Sequence, residues 1–155
     1  MNTTTKSIVE LFQSAADDHN LVNWFDYGTG EFLFSSQRHL EYPAVFLQIT
    51  GGTVVESTRE ERTFTLYSMQ QQPDKWDYTK DTNYEFNEAR VDARDSALQV
   101  LRDIVAKVSL ENQGEMIIEQ GLITDDGLDA QVIGWRMDLT IVTDSYYNIT
   151  TDFPE

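Results

Sequence analysis

Side chains able to do chemistry are few in this chain, which contains two histidines and no cysteine. Ser35 and Ser36 stand close to His39, and these are the residue types of a nucleophile and its base. Adjacency in sequence does not build a catalytic triad, and the chain has no G-x-S-x-G elbow to present a serine. We therefore expect His39 to be a solvated loop residue and the protein not to be an enzyme.

Two carboxylate clusters have the residue types that bind divalent cations. One is Asp17-Asp18-His19, and the other is the run Asp125, Asp126, Gly127, Leu128 and Asp129. The second lacks the alternating ligands and the final glutamate of an EF-hand calcium loop. A β-hairpin turn with Asp-Gly at its tip explains this run without a metal. We expect neither a metal nor a cofactor, with an adventitious calcium or magnesium ion as the alternative.

Two further patterns are too short to define a site. Gly28-Thr29-Gly30 lacks the third glycine and the lysine of phosphate-binding loops and predicts a turn. Glu60-Glu61 has the paired acids that glycoside hydrolysis uses, but charges on a strand are typical of a solvated edge. Neither pattern predicts catalysis.

The elements that position these residues begin with a helix predicted over about residues 5–18. Its apolar stripe has i, i+3, i+4, i+7 spacing and consists of Ile8, Leu11, Phe12 and Ala15. Ser7 with Glu10 fits a capping box, and a threonine at positions 3–5 is the alternative cap.

A second helix is predicted over about residues 87–110. Asn87 is its expected N-cap, and Glu88 follows in the first turn. Its apolar stripe consists of Ala97, Leu98, Leu101, Ile104, Val105 and Val108.

The remaining patterns predict strands. Residues 21–27 form a short extended piece, and residues 41–69 form a hairpin that turns at Gly51-Gly52. The first half of its returning arm, which starts at residue 53, is polar and is expected to project beyond the core. A second hairpin pairs a strand over 115–124 with one over 131–143, with the turn at 125–129.

The last strand has the clearest alternation in the sequence. One face is expected to carry Ile133, Trp135, Met137, Leu139 and Ile141. The opposite face carries Arg136, Asp138 and Thr140, and we expect it to meet either solvent or a neighbouring subunit.

Together these elements predict an α+β fold: an antiparallel sheet with two packed helices, in the order α-β-β-α-β-β. A single domain is expected over residues 1–144, with a C-terminal extension over 145–155. Residues 70–86 form a long aromatic loop, and a loop of this length is typical of a binding segment.

Aromatic residues concentrate in the long loop and the C-terminal extension. Exposed aromatics on irregular segments are enriched at interface hot spots, and the alternative is that they cover the domain's own core. We predict a subunit interface formed by Trp76, Tyr78, Tyr84, Phe86, Tyr146, Tyr147 and Phe153.

The net charge of −16 narrows the classes of partner. Such a field repels nucleic-acid phosphates and anionic membranes, although solubility alone also explains it. The sequence has no run of the roughly 20 apolar residues needed to cross a membrane and no apolar run of signal-peptide length. We expect a protein made and kept in a cytoplasm.

The order of elements resembles tail-terminator and tail-completion proteins of tailed bacteriophages. The resemblance spans about residues 5–144: an amphipathic helix, then "EYPAVFLQI", a long hairpin, "ARVDARDSALQVLRDIVAKV" and "IGWRMDLTIVTD". It implies a homo-oligomeric ring, commonly a hexamer, without enzymatic activity. The ring caps the tail tube and joins it to the head or neck, so the implied location is the virion, after synthesis in the bacterial host.

An acidic lumen suits such a ring, because it repels phosphates and lets DNA pass without specific binding. Two competing hypotheses remain: a small acidic adaptor or inhibitor of a basic protein, and an enzyme with a carboxylate-bound divalent ion. The candidate lumen acids lie in the two hairpins and are Glu56, Glu60, Glu61, Asp125, Asp126 and Asp129.

Overall fold

The computed structural model describes residues 4–29, 41–56, 59–71, 84–112, 116–129 and 132–144. These residues form two helices and five strands. The helices are α1 (Thr5–Asp18) and α2 (Tyr84–Glu111). The strands are β1 (Trp24–Gly28), β2 (Ala44–Glu56), β3 (Arg59–Gln71), β4 (Met116–Asp129) and β5 (Val132–Asp144).

Helix α1 has the predicted bounds, and its cap is one of the threonines expected as the alternative. Thr4 is the N-cap: its hydroxyl accepts from the Ser7 amide at 3.1 Å, and the Ser7 hydroxyl accepts from the Thr4 amide at 2.9 Å. Ser7 therefore completes the capping box from inside the helix, and the predicted pairing of Ser7 with Glu10 is wrong. The reciprocal bonds satisfy two amides that a helix start leaves without partners.

The five strands form one mixed sheet in the order β1-β2-β3-β5-β4. Strand β1 pairs with β2 in parallel, and every other pairing is antiparallel. The α+β class is confirmed. The predicted purely antiparallel sheet and four-strand order are corrected, because the short piece after α1 joins the sheet. A parallel pair needs a long connection, and residues 29–43 provide it.

Both helices pack on one face of the sheet. The prediction for the last strand is confirmed, since Ile133, Met137, Leu139 and Ile141 are buried and Trp135 packs against the core at its edge. A second, smaller cluster lies on the opposite face. The main core consists of Ile8, Phe12, Val45, Leu47, Phe64, Leu66, Leu101, Ile104, Val108, Met137, Leu139, Ile141 and their smaller neighbours.

The first hairpin does not turn at Gly51-Gly52. Strand β2 continues to Glu56, and the chain reverses between there and Arg59. Gly51 has φ +71°, which allows a bulge where the β2–β3 register shifts between Ile49 and Thr53. A positive φ serves a bulge as well as a tight turn. The polar arm is therefore paired on both sides, with β2 and with β5.

Three other boundaries differ from the predictions. Helix α2 begins at Tyr84, so Asn87 lies inside the helix and is not its cap. Residues 70 and 71 end strand β3, which shortens the predicted loop at that side. The acidic run 125–129 belongs to β4, which follows β5 down to the Asp129–Val132 pair, with a register shift on the way. The predicted turn at 125–129 is wrong, because this run pairs with the β5 backbone.

Candidate functional site

Most of the predicted interface falls outside the described residues. Trp76 and Tyr78 lie in the segment 72–83, and Tyr146, Tyr147 and Phe153 lie beyond Asp144. Tyr84 and Phe86 belong to the first turn of α2, and their side chains are also outside the described part. The interface hypothesis stays a prediction for all seven aromatics.

Glu60 lies on the helix-bearing face of β3, in register with Thr143 of β5. Its carboxylate accepts from the Arg62 guanidinium at 2.7 Å, and both side chains are 13% exposed. Arg62 also donates to the Thr143 hydroxyl at 3.4 Å. The pair is thus largely removed from water, in contrast to the solvated edge that the sequence predicts.

Glu61 emerges on the opposite face, because successive side chains alternate along a strand. It pairs with Arg59 at 2.7 Å, and Arg59 also approaches Glu119 of β4 at 3.7 Å across the intervening β5. These three side chains are between 34% and 57% exposed. Glu60 and Glu61 therefore cannot line the same surface.

Each of these acids has an arginine partner that the acids alone do not predict. In "REER", residues 59–62, each arginine stands two positions from a glutamate of opposite charge. On a strand, a spacing of two places both side chains on one face. This period-two pattern is the signal that predicts one ion pair on each face.

For the other candidate lumen acids, the structure describes the backbone pairing but not the side chains. Glu56 ends β2 opposite Arg59. In β4, Asp125 pairs with Trp135, Asp126 with Gly134 and Asp129 with Val132. Their assignment to a lumen stays a prediction.

His19 joins three parts of the chain. It is the C-cap of α1, its Nε2 lies 2.9 Å from Asp103 Oδ2 on α2, and its Nδ1 lies 3.1 Å from the Leu21 amide nitrogen. The second oxygen of Asp103 accepts from the Gln99 amide at 2.6 Å. The sequence indicates His19 only as a member of an acidic cluster, because its partner Asp103 lies 84 residues away.

Asp18, the neighbour of His19, contacts the same helix. Lys107 donates to its carboxylate at 2.8 Å and lies 3.8 Å from Glu111. The hydrogen bond to Asp18 raises the pKa of Lys107 above its usual value. The cluster at residues 17–19 thus ties α1 to α2, and within the described ranges no three His, Asp or Glu side chains gather as metal ligands would.

His39 and the two serines near it lie outside the described residues. In the part of the chain that the structure describes, no helix has the length and apolarity required to cross a membrane. No model of a protein family matches the chain, and no curated protein matches it.

Proposed function

We propose that this protein is a structural subunit of a tailed-bacteriophage virion: a ring-forming tail-terminator or neck protein that caps the tail tube and connects it to the head. The observation that carries the proposal is the net charge of −16. A ring around a DNA path must not hold the duplex, and an acidic lumen repels its phosphates. The α+β fold, with helices on one face of a long-stranded sheet, supports the family resemblance found in the sequence.

The lumen is proposed to carry acids of the two hairpins. Glu61 is the described member whose carboxylate reaches solvent, and Arg59 neutralises part of its charge. Glu60 is assigned to the interior of the subunit instead, because Arg62 holds it on the helix-bearing face. Glu56, Asp126 and Asp129 are proposed to complete the lining, because their backbone register gives them positions on the same face as Glu61. Asp125 is left out of the lining, since its backbone partner Trp135 packs against the core on the helix-bearing face.

A charge-neutralised variant tests this lining. We expect the amide replacements at 56, 61, 126 and 129 to make the assembled protein retain linear duplex DNA at low salt in a gel-shift assay. The matched control removes four exposed acids from the helices, with the replacements Glu10→Gln, Asp17→Asn, Asp92→Asn and Asp95→Asn. Equal DNA retention by both variants would contradict a lumen role for the hairpin acids.

Ring formation is tested by native mass spectrometry of the full chain across protein concentration. Closed oligomers, six copies above all, are expected for a subunit whose heterologous contacts complete a rotation. Addition of tail-tube and neck proteins extends the test to assembly that needs a partner. A chain that stays monomeric under both conditions would contradict the proposal.

The aromatic loop is proposed to reach the neighbouring subunit. Trp76→Ala is expected to weaken assembly while leaving the thermal unfolding midpoint of the subunit unchanged. Tyr27→Ala is the control, since Tyr27 is an exposed aromatic on β1. Equal losses of folding and assembly in the Trp76 variant would place Trp76 in the subunit's own core.

The same charge favours a second candidate, a small acidic adaptor or inhibitor that binds a basic protein. This candidate requires a stable monomer and binding to a cationic partner that weakens steeply with salt. Native mass spectrometry separates the two, because only the virion subunit forms closed rings.

A further inference from the structure

His19 stands where the chain leaves α1 and approaches the sheet. Its amide donates to Ala16 O at 3.2 Å, which closes the helix, and its carbonyl accepts from the Val22 amide at 3.3 Å. The imidazole is 14% exposed and lies between Asp103 and the Leu21 amide. The segment 20–23 then enters β1, where the Asn23 amide donates to Pro43 O at 2.9 Å.

The two contacts of the ring fix its tautomer. A backbone amide is only a donor, so the ring nitrogen that faces Leu21 must present a lone pair. Nδ1 is therefore without a proton, and the neutral ring carries its proton on Nε2, which donates to Asp103. Gln99 engages the other carboxylate oxygen of Asp103 and keeps it oriented.

We propose that His19 is a proton-operated latch on the connection between α1 and β1. A second proton must bind Nδ1, the atom that accepts from the Leu21 amide. Two N–H groups would then face each other, so the hydrogen bond between Leu21 and Nδ1 is lost. The bond from Nε2 to Asp103 becomes charge-assisted and is strengthened. Acidification therefore releases the Leu21 amide while α1 stays tied to α2.

The charges around the imidazole favour the loss of the Leu21 contact and the retention of the Asp103 contact. Asp103 of α2 faces the imidazole directly, and Lys107 of α2 is engaged by Asp18, the residue before His19 in α1. Asp17 of α1 is exposed, and the connecting segment 20–23 contains no charged side chain. The carboxylate nearest the ring thus stabilises the imidazolium, whereas the Leu21 amide can donate only to the neutral ring.

The released amide belongs to Leu21, a residue that is 48% exposed. The Val22 and Asn23 amides keep their bonds to His19 O and Pro43 O. The latch therefore controls an apolar residue beside β1, the edge strand of the sheet.

The test is NMR on the full chain labelled with nitrogen-15, from pH 8 to pH 5. At pH 8 the ring is expected to show the Nε2–H tautomer. As His19 gains its proton, the hydrogen-exchange protection of the Leu21 amide is expected to fall roughly fivefold, since one hydrogen bond is lost. His19→Gln is expected to abolish this pH dependence, and His39→Gln, at the other histidine of the chain, to leave it intact.

Asp103→Asn distinguishes a latch from a structural contact. It keeps a hydrogen-bond acceptor for Nε2 but removes the charge, so His19 is expected to take up its proton at lower pH, with the Leu21 change following at the same shifted pH. An Nδ1–H tautomer at pH 8 would overturn the proposal. So would an unchanged protection of Leu21 in a chain whose His19 is fully protonated.

Discussion

The guanidinium of Arg62 lies 2.7 Å from the carboxylate of Glu60, and each side chain is only 13% exposed. The pair is an i, i+2 contact along β3, on the face that also carries Phe64 and Leu66. Removing two opposite charges from water has a desolvation cost that their mutual attraction offsets, but a single charge left in such a place has neither water nor a partner charge. The partner of each residue is therefore essential.

Glu60→Ala is expected to destabilise the protein by about 3 kcal/mol, because it leaves Arg62 charged and largely buried. Glu61→Ala is the matched control, since its pair with Arg59 is equally short but more exposed. A surface pair of that kind contributes less than about 1 kcal/mol. Urea unfolding of the two variants measures both values. Similar losses in the two variants would mean that water reaches both pairs alike.

Gly51→Ala is expected to cost about 1–2 kcal/mol, because Gly51 has φ +71°, a conformation that L residues adopt with strain. The cost comes from the backbone alone, as an added Cβ would meet no atom within 4 Å. Gly51→Asn is the control, since asparagine tolerates this region better than alanine. Thermal unfolding should rank the variants as glycine, asparagine, alanine. An asparagine variant no more stable than the alanine variant would refute the conformational cause.

The sequence predicted the elements better than their junctions. The bounds of α1 and the buried face of β5 follow from strong local periodicity, and both are confirmed. Gly51-Gly52 predicts a turn but forms a bulge, because both features use glycine at positive φ. The acidic run at 125–129 resembles a turn, yet its strand character comes from pairing with β5, a property of the sheet and not of the run.

The contacts of the candidate site also differ in whether the local sequence predicts them. The pairs of Arg59 with Glu61 and of Arg62 with Glu60 are local, and a period of two predicts them. The contact of His19 with Asp103 joins residues 84 positions apart, and it depends on how α1 packs against α2. Helical periodicity identifies the buried face of each helix but not which polar residues meet at its rim.

Trp135→Phe is expected to destabilise the protein by about 1–2 kcal/mol. The substitution removes the indole N–H that donates to Arg94 O at 2.9 Å, and it shrinks the ring under the Arg94 guanidinium, which lies 5.5 Å from the ring centroid. Chemical denaturation measures the loss.

Arg94→Lys separates the two contributions at this contact. It retains the backbone carbonyl that accepts from Trp135 but replaces the flat guanidinium, so a loss below about 1 kcal/mol is expected. If Arg94→Lys costs as much as Trp135→Phe, the stacked cation and not the indole hydrogen bond is the main contribution.

Lys107→Gln is expected to lower the thermal unfolding midpoint, and this loss is expected to become smaller at alkaline pH. The hydrogen bond to Asp18 raises the pKa of Lys107 in the folded protein above the usual 10.5. A group whose folded pKa is raised stabilises fully below its unfolded pKa, and this stabilisation disappears as pH rises through the folded value. The difference between wild type and variant should therefore be constant from about pH 7 to 9.5 and should narrow above about 10.5. Because the pair is exposed, added salt should reduce the difference at every pH.

Lys6→Gln is the matched control, since Lys6 meets Glu10 at 4.0 Å with both side chains mostly exposed. It should change the midpoint little at any pH. Thermal scans of wild type and both variants between about pH 7 and 11.5 make the comparison, and reversibility is checked at each pH. A Lys107 difference that stays constant to the alkaline limit would show that the hydrogen bond to Asp18 does not stabilise the folded protein through the lysine charge.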